Sequence, residues 1–569
     1  MKRQGTEPAE RPEVSRLRAT GRTAVLVIGG GINGIATFRD LAMQGVEVVL
    51  VERGDFGSGA SAASSHMIHG GIRYLENGEF RLVRESVQER NDLLRTAPHY
   101  VKPLRTTIPI YSTFKGILSA PLRFLTHRQG KPTERGALLI KVGLVLYDTF
   151  SRDGGSVPRH RFHGRKRSLR ELPQLDPAVK YTATYFDASM HDPERLALDV
   201  LLDGAAASPD AIALNYVEAV GMDADGVRLR DRETGAEFTV AADVVVNTSG
   251  PWTDLTNEAL GAATAYMGGT KGSHIVLDHP QLLAATGGRE IFFEHSDGRI
   301  VLIYPLGDRV LVGTTDLPAD VREVPVCTPD EVRYFFELIA HVFPGIAVGT
   351  EHIVHTFSGI RPLPKHGDTQ PGFVSRDYRL EVADREGTPI VSLVGGKWTT
   401  FRALGESVAD RVLGLLGRRR SANTAGAAIG GGRDFPRTDG DRDAWVRRNL
   451  AGVDEPRRAA LFERYGTRAA EVAAYLDMDV DRPVLGGLVS SRELAYMVEH
   501  ERVVHLADVV FRRTGLAFTG AADEDALREL AAALAPAAGW DASRTEQEVA
   551  ACLTELRERY AVPSPVAAG

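Results

Sequence analysis

The sequence predicts an α/β protein with a two-dinucleotide-type binding fold, an antiparallel-sheet substrate domain and a C-terminal all-α domain. Three stretches support this fold class. Residues 23–52 have the pattern strand, glycine-rich turn, helix, strand, which is the βαβ unit of dinucleotide-binding domains. Residues 290–316 contain three apolar runs separated by the short turns SDG and GD, which predicts an antiparallel meander. Residues 441–562 have a strongly helical pattern with an alanine-rich end.

The βαβ unit carries the features that a dinucleotide requires. An apolar run at residues 24–28 precedes three glycines in G-x-G-x-x-G spacing, which lets the backbone turn tightly and approach a pyrophosphate at a helix N-terminus. Glu52 follows the second strand, eighteen residues after Gly34, where a carboxylate binds ribose hydroxyls and disfavours the 2′-phosphate of NADP. The unit alone leaves NAD and FAD open. Its candidate cofactor contacts are Gly29, Gly31, Ile32, Asn33, Gly34, Glu52 and Arg53.

Length and composition restrict the class of protein. The 569 residues exceed what one core usually holds, so two or three domains are expected, and the net charge of -7 gives no sign of nucleic-acid binding. The two cysteines and the histidine spacing predict neither a disulfide framework nor a metal site. No apolar run is long enough for a membrane-spanning helix. Residues 1–22 lack a signal-peptide core and are expected to be a disordered lead-in.

A loop rich in glycine, alanine and serine follows Glu52, at residues 54–80. Small residues let a ligand approach the backbone closely, and this loop leaves the strand on the side where a dinucleotide would lie. Its candidate contacts are Ser64, Ser65, His69, Gly70, Gly71, Arg73 and Tyr74. Farther along, residues 114–135 mix apolar and basic side chains, which suits either a contact with an anionic membrane or a solvated helix–loop face.

Two later turns complete the predicted cofactor site. A strand at residues 237–246 ends in NTSGPW, a small-residue turn with Gly250 and Trp252 that is typical of the returning strand of a two-dinucleotide flavoprotein. This turn favours FAD over NAD. A strand at residues 389–394 ends in Gly396 and Lys397, which open an amphipathic helix.

Seven motifs occur in a fixed order along the chain: GGGINGIA (29–36), SSHMIHGGIRYLENGEFRLVRESVQER (64–90), NTSGPW (247–252), KGSHIVL (271–277), GTTD (313–316), SGIRPL (358–363) and GGKWTTFR (395–402). Together with a helical stretch at 493–515, they resemble the family of FAD-dependent glycerol-3-phosphate dehydrogenases over residues 23–530. The resemblance implies a two-domain flavin fold, a helical C-terminal domain and oxidation of sn-glycerol 3-phosphate to dihydroxyacetone phosphate. Departures from the family pattern at Ile35, Gln44, His66 and Phe401 leave the exact polyol phosphate open.

The chemistry of alcohol oxidation assigns roles to residues in these motifs. A hydride leaves carbon and a proton leaves oxygen, so a base and an anion site are needed beside the flavin. Arg73 and Arg361 are expected to hold the phosphate dianion, because guanidinium forks suit it. His274 is the leading candidate for the general base, since imidazole titrates near working pH, and His69 is its competitor.

The remaining catalytic candidates lie at turns and at a helix start. Lys397, with Thr399 and Thr400, is expected at the flavin edge, where charge develops during the reaction. Asp316 is expected to orient the base or to bind a substrate hydroxyl. Tyr74 is counted with Arg73 in the same loop.

The predicted domains are an oxidoreductase region (23–416), a linker (417–440) and a helical domain (441–562) that is separable and carries no chemistry. Within the first, the FAD-binding parts are about 23–75, 160–255 and 355–416, and the substrate-side parts are about 76–159 and 256–354.

A membrane quinone is the expected electron acceptor. Three alternatives stay open: an oxidase that reduces oxygen, a dehydrogenase for a related polyol phosphate, and a non-catalytic nucleotide-binding regulator. The expected location is cytoplasmic. A peripheral contact with the inner face of the cell membrane and a homodimer also stay open.

Overall fold

The computed structural model describes residues 10–71, 79–112, 137–150, 158–294, 300–365 and 377–560. In these residues the strands, numbered in chain order, are β1 (Arg22–Ile28), β2 (Val48–Val51), β3 (Met67–Ile68), β4 (Val101–Ile110), β5 (Arg161–Gly164), β6 (Tyr181–Met190), β7 (Ala211–Leu214), β8 (Val217–Asp223), β9 (Gly226–Asp231), β10 (Glu237–Asn247), β11 (Met267–Leu277), β12 (Glu290–Glu294), β13 (Ile300–Leu306), β14 (Arg309–Gly313), β15 (Leu317–Pro318), β16 (Ile353–Pro364), β17 (Arg379–Arg385), β18 (Thr388–Val394), β19 (Pro483–Val484) and β20 (Val489–Ser490).

The α-helices of seven or more residues alternate with these strands and then fill the C-terminal part. They are Pro12–Thr20, Ile32–Met43, Phe80–Thr96, Ala137–Phe150, Arg165–Glu171, Pro193–Ala207, Thr253–Ala259, Pro280–Thr286, Pro329–Val342, Phe401–Leu415, Asp439–Asn449, Glu455–Tyr465, Ala469–Leu476, Ser491–His500, Glu524–Ala538 and Ala542–Arg559.

The first sheet contains the predicted βαβ unit, with the strand order β17-β18-β10-β1-β2-β7. Strand β1 is parallel to β2 and to β10, and Ile28 is in register with both Val51 and Asn247. The helices Ile32–Met43, Pro193–Ala207 and Phe401–Leu415 contribute to one apolar core on this sheet. Because parallel strands end at one edge, the glycine turn, Glu52 and the NTSGPW turn meet there, as the sequence predicts.

The second sheet contains the predicted meander, in which β12, β13 and β14 pair antiparallel. Its order is β15-β11-β14-β13-β12-β4-β6-β3, and β16 lies along β11. Strands β5, β6 and most of β16 belong to this sheet, although they fall in parts assigned to FAD binding from the sequence; that assignment stays a prediction. Because β6 is buried along most of its length, its residue pattern does not indicate which sheet it joins.

The N-terminal lead-in is a second correction, because Pro12–Thr20 forms a helix. Val14 and Leu17 of this helix are buried in the core on the outer face of the first sheet. Arg11 also donates to the Asn215 side chain at 3.0 Å. Two apolar residues among charged ones are too weak a pattern to predict a docked helix from sequence.

The predicted linker, residues 417–440, contains a short 3-10 turn, Gly430–Gly432, and its last two residues begin the helix Asp439–Asn449. It is packed along the protein: Arg420 pairs with Asp40 at 2.8 Å, and the Gln44 side chain accepts a hydrogen bond from the Ser421 amide at 2.7 Å. Ile429 is buried in the core of the first sheet. These contacts fasten the connection to the cofactor-binding region.

The C-terminal helices form a core of their own, as predicted, and include the small β19–β20 hairpin. They also dock closely on the first domain: Arg195 forms a bidentate ion pair with Glu501 at 2.7 and 2.9 Å, and both side chains are buried. Within the described residues, no helix combines the length and the apolar character that a membrane crossing requires.

Candidate active site

A cavity of about 1170 Å³ lies between the two sheets, beyond the carboxyl ends of β1, β2 and β10. This edge is where parallel α/β sheets bind their ligands. The predicted residues that line it are Gly29, Gly31, Ile32, Asn33, Glu52, Arg53, Ser64, Ser65, His69, Gly71, Gly250, Trp252, His274, Asp316, Arg361, Gly396, Lys397 and Thr399. Gly34, Gly70 and Thr400 do not line it, and Arg73 and Tyr74 lie outside the described residues.

Close packing of backbone against backbone requires two glycines of the turn at the cavity edge. Gly29 has φ 109°, and a Cβ there would lie 2.8 Å from the backbone of Ser249. A Cβ on Gly34 would lie 2.0 Å from the Gly29 carbonyl and would keep the helix away from the turn. The Ser61 hydroxyl accepts a hydrogen bond from the Ile32 amide at 3.0 Å and ties the small-residue loop to the helix start.

The Glu52 carboxylate is held by backbone on both sides. One oxygen accepts from the Gly30 amide at 2.7 Å and the other from the Gly54 amide at 2.8 Å. Burial raises the pKa of Glu52, although these two amides oppose the shift. Nearby, the Arg53 guanidinium lies 4.9 Å from the ring centroid of Trp252. A glycine cradle followed by a fixed carboxylate fits the pyrophosphate and ribose of a dinucleotide.

The loop at residues 69–71 is anchored by a buried polar cluster that the sequence did not reveal. The Asp187 carboxylate accepts from the Gly70 amide at 3.0 Å, from Arg90 at 2.8 Å and from the Tyr147 hydroxyl at 2.5 Å. A Cβ on Gly70 would lie 2.1 Å from that hydroxyl, which explains the glycine. In the sequence, the local sign of this polar cluster is a single aspartate within the buried strand β6.

Arg361 and Asp316 face the cavity as an ion pair. The Arg361 Nη1 atom lies 3.1 Å from an Asp316 oxygen, while Nη2 donates to the Thr314 hydroxyl at 3.1 Å and to the Thr315 carbonyl at 2.9 Å. The two charged side chains are 20% and 15% exposed. Behind them, Glu331 accepts from the Thr315 hydroxyl at 2.6 Å and fixes that turn.

His274 lies on β11 with its ring stacked on Phe357, at a centroid distance of 4.6 Å. Its Nε2 atom is 2.8 Å from the hydroxyl of Ser65, which lies in the small-residue loop just before β3. Burial lowers the pKa of His274 well below its ordinary value, and Arg361 and His66 lower it further. The imidazole is therefore neutral at physiological pH.

The GGK turn forms another part of the wall. The Lys397 ammonium donates to the Ser86 hydroxyl on helix Phe80–Thr96. A 3-10 turn, Trp398–Thr400, precedes the predicted helix, which begins at Phe401. The Trp398 indole donates to the Ser61 carbonyl at 2.9 Å and links this turn to the small-residue loop.

None of the four residues that depart from the family pattern lines the cavity, although His66 stands between the lining residues Ser65 and Met67. Ile35 and Phe401 are buried in the core of the first sheet. Gln44 holds the predicted linker through the Ser421 amide. His66 contacts the His191 carbonyl through Nδ1 at 3.2 Å and packs edge-on against Phe518 of the C-terminal domain.

Comparisons with known proteins agree with this geometry. Residues 24–411 match the family model described as FAD dependent oxidoreductase, and residues 390–545 match the C-terminal domain of alpha-glycerophosphate oxidase. A glycerol-3-phosphate dehydrogenase of a Synechocystis species is 33% identical over 559 residues, which cover 92% of this chain and 94% of the relative. The chain belongs to the family of FAD-dependent glycerol-3-phosphate dehydrogenases.

Two further matches are a relative with a different named substrate and a solved structure of similar fold. A relative from Brucella abortus named D-erythritol 1-phosphate dehydrogenase is 32% identical and covers 86% of this chain and 93% of its own length. The glycerol-3-phosphate dehydrogenase of Bacillus halodurans, solved in complex with FAD, has a TM-score of 0.73 over 97% of this chain and 98% of that chain, at 23% identity. The family, the fold class and the FAD cofactor are thus as predicted from the sequence.

Proposed function

We propose that the chain oxidises sn-glycerol 3-phosphate to dihydroxyacetone phosphate. FAD, when bound, supplies the acceptor for the hydride. The observation that carries this proposal is that Arg361, Asp316, Ser65 and His274 line the same cavity as the glycine turn and Glu52. An anion site, a hydroxyl site and a base thus lie beside the dinucleotide site.

The phosphate dianion is assigned to Arg361, with Arg73, which lies outside the described residues, as the proposed second cation. Arg361 is not a bare cation, because Asp316 already neutralises part of its charge. An incoming phosphate has to share the guanidinium with this carboxylate or displace it. The substrate's one remaining hydroxyl, on C1, is in turn assigned to Asp316.

The substrate proton is assigned to His274, with His69 as the competing base. Ser65 lies within hydrogen-bond distance of His274 Nε2 and lines the cavity, so a substrate hydroxyl that reaches Ser65 can pass its proton to the imidazole. A phosphate on Arg361 offsets the guanidinium charge that lowers the pKa of His274, which strengthens the base only when substrate is bound.

Lys397 is assigned to the edge of the cofactor where negative charge develops, together with Thr399. Its contact with Ser86 holds the ammonium group in one direction. Thr400 is buried and does not line the cavity, so its proposed role is the start of the helix that carries the turn.

For the acceptor we propose a quinone, reached from the cytoplasmic side of the cell membrane. Helix Ala137–Phe150 supports a peripheral contact, because Leu138 and Val145 are about half exposed on it. Lys141 of this helix lies 6.0 Å from the ring of Phe162, next to the exposed basic residues of β5 and of helix Arg165–Glu171. Basic side chains around exposed apolar ones suit an anionic lipid surface. A homodimer stays a prediction that light scattering can check.

Anaerobic reduction tests the function. We expect sn-glycerol 3-phosphate to bleach the flavin absorbance, and glycerol to do so far more slowly. D-erythritol 1-phosphate belongs in the same series because of the Brucella relative. The three-carbon sn-glycerol 3-phosphate is expected to react faster, since none of the four departures lines the cavity. Faster bleaching by D-erythritol 1-phosphate would identify this four-carbon polyol phosphate as the better substrate. Stoichiometric release of peroxide in air would identify oxygen, and not a quinone, as the electron acceptor.

A further inference from the structure

Two arginines of the C-terminal domain bind one buried carboxylate in the loop that follows Glu52. This carboxylate belongs to Asp55, three residues after Glu52. Asp55 accepts two hydrogen bonds from Arg513, at 2.8 and 3.1 Å, and one from Arg512 Nε. The three side chains are almost completely buried, with Asp55 at 0% and Arg513 at 2% exposure. Two cations from one domain thus meet one anion from the other without solvent.

The same stretch of the C-terminal domain holds the opposite wall of the loop. The Asn215 side chain donates to Asp55 at 3.0 Å and to the Arg502 carbonyl at 2.9 Å. The Tyr216 hydroxyl donates to Asp508, while the Tyr216 amide donates to the Gly54 carbonyl at 3.0 Å. The next residues, 217–219, line the cavity. Both walls beside Glu52 therefore depend on residues 502–513.

The charges in this cluster balance only when the domains are docked. Burial by itself raises the pKa of Asp55, but Arg513 and Arg512 outweigh it and hold the pKa well below its ordinary value. Asp508 supplies the second anion, 2.8 Å from Arg512. Without Arg512 and Arg513, Asp55 would keep only the Asn215 amide as a donor among these partners. A buried charge left in this way is strongly destabilising, so the loop would have to rearrange.

We propose that FAD binding and docking of the C-terminal domain are thermodynamically coupled through Asp55. Arg512 and Arg513 are positioning residues: they hold residues 52–55 in the conformation that presents the Glu52 carboxylate to the ribose. Since coupling between two sites is reciprocal, bound FAD must also tighten the docking of residues 502–513. This inference does not depend on which polyol phosphate is oxidised.

An FAD titration of the apoprotein of Arg513→Met, followed by flavin fluorescence, tests the first half. We expect the Kd for FAD to rise at least about tenfold, within the usual range of coupling between sites. Arg513→Lys should recover part of the affinity, because one cation returns without the fork.

Arg468→Met is the matched control. Arg468 pairs with Asp199 at 2.7 Å across the same domain boundary, but neither residue lines the cavity or belongs to the loop. The control should lower the melting temperature of the apoprotein, yet leave the Kd for FAD within about twofold of wild type. Equal weakening of FAD binding in both variants would overturn the proposal, because it would show a general loss of stability.

Hydrogen exchange of the wild-type chain tests the reciprocal half and does not depend on a variant that folds. We expect FAD to slow amide exchange in residues 502–513 by about tenfold, although these residues lie outside the cavity lining. Unchanged exchange in this segment, with protection confined to the cavity lining, would contradict the coupling. A wild-type Kd for FAD in Arg513→Met would do the same.

Discussion

Two arginine–aspartate ion pairs of this chain differ in their exposure to solvent and therefore serve different purposes. Arg361 and Asp316 meet at the wall of the cavity, each partly exposed, whereas Arg513 and Asp55 meet at the domain boundary and are closed to solvent. A partly solvated pair can exchange one partner for a substrate phosphate at modest cost. A fully buried pair cannot, since either charge left alone is costly. Burial thus decides whether an arginine–aspartate pair can bind a ligand or holds two domains together.

Removing the C-terminal domain, and with it the buried ion pairs, should have the largest effect. A chain that ends at residue 436 loses Glu501, Arg512 and Arg513, and leaves Arg195 and Asp55 without these charged partners. Each broken buried pair costs about 3–5 kcal/mol. We expect this chain to be insoluble or free of FAD, measured by the absorbance of the purified protein. A soluble yellow protein would show that the helical domain is separable, as expected from sequence.

Removing Arg361 of the partly exposed pair should weaken substrate binding and leave FAD binding unchanged. For Arg361→Ala we expect the half-saturating concentration of sn-glycerol 3-phosphate to rise about a hundredfold, which corresponds to about 2.7 kcal/mol. FAD content should not change. Arg361→Lys should recover part of the loss.

Arg309→Ala is a suitable control for this experiment, because Arg309 lies on β14 of the same sheet, pairs with Asp278 at 3.4 Å and does not line the cavity. A similar loss of affinity in this control would mean that Arg361 acts through the sheet and not on the phosphate.

Acid should weaken the contact between the two regions at a histidine cluster. Burial lowers the pKa of His66 to about 4 and that of His355 to about 3, and both rings contact Phe518 of the C-terminal domain. The unfolded chain takes up these protons near pH 6.5 and the folded chain does not, so stability falls as pH drops below that value. Between pH 7 and pH 5 each histidine contributes a loss of about 2 kcal/mol.

Urea unfolding at pH 7 and pH 5 measures this effect. His355→Phe should reduce the difference in unfolding free energy between the two pH values. Equal pH dependence in wild type and His355→Phe would assign the acid sensitivity to other groups.

The smallest expected effect concerns the carboxylate that shares Arg361. Asp316→Asn removes a negative charge beside the proposed anion site, so inorganic phosphate should inhibit about fivefold more strongly, or about 1 kcal/mol. The measurement is the inhibition constant of phosphate against substrate. Weaker inhibition would mean that Asp316 holds Arg361 in place for the anion.

Sequence alone located the residues that follow from local patterns. Gly29, Glu52 and Gly250 stand at strand ends within recognisable turns, and parallel strands must bring such turns together. Asp187 with Arg90, and Asp55 with Arg513, could not be predicted, because their partners are 97 and 458 residues away. No short-range pattern indicates such a pairing. The role of Arg73 in holding the phosphate remains a prediction from its sequence motif.

The distance between Asp55 and Arg513 along the chain also sets an order in time. A ribosome adds about 5–20 residues per second, so Arg513 is made roughly half a minute or more after Asp55. The βαβ unit can fold early, but its loop has no arginine partner until almost the whole chain has emerged. We therefore expect growing or prematurely terminated chains to leave FAD in solution, so that the cofactor is loaded only into finished protein.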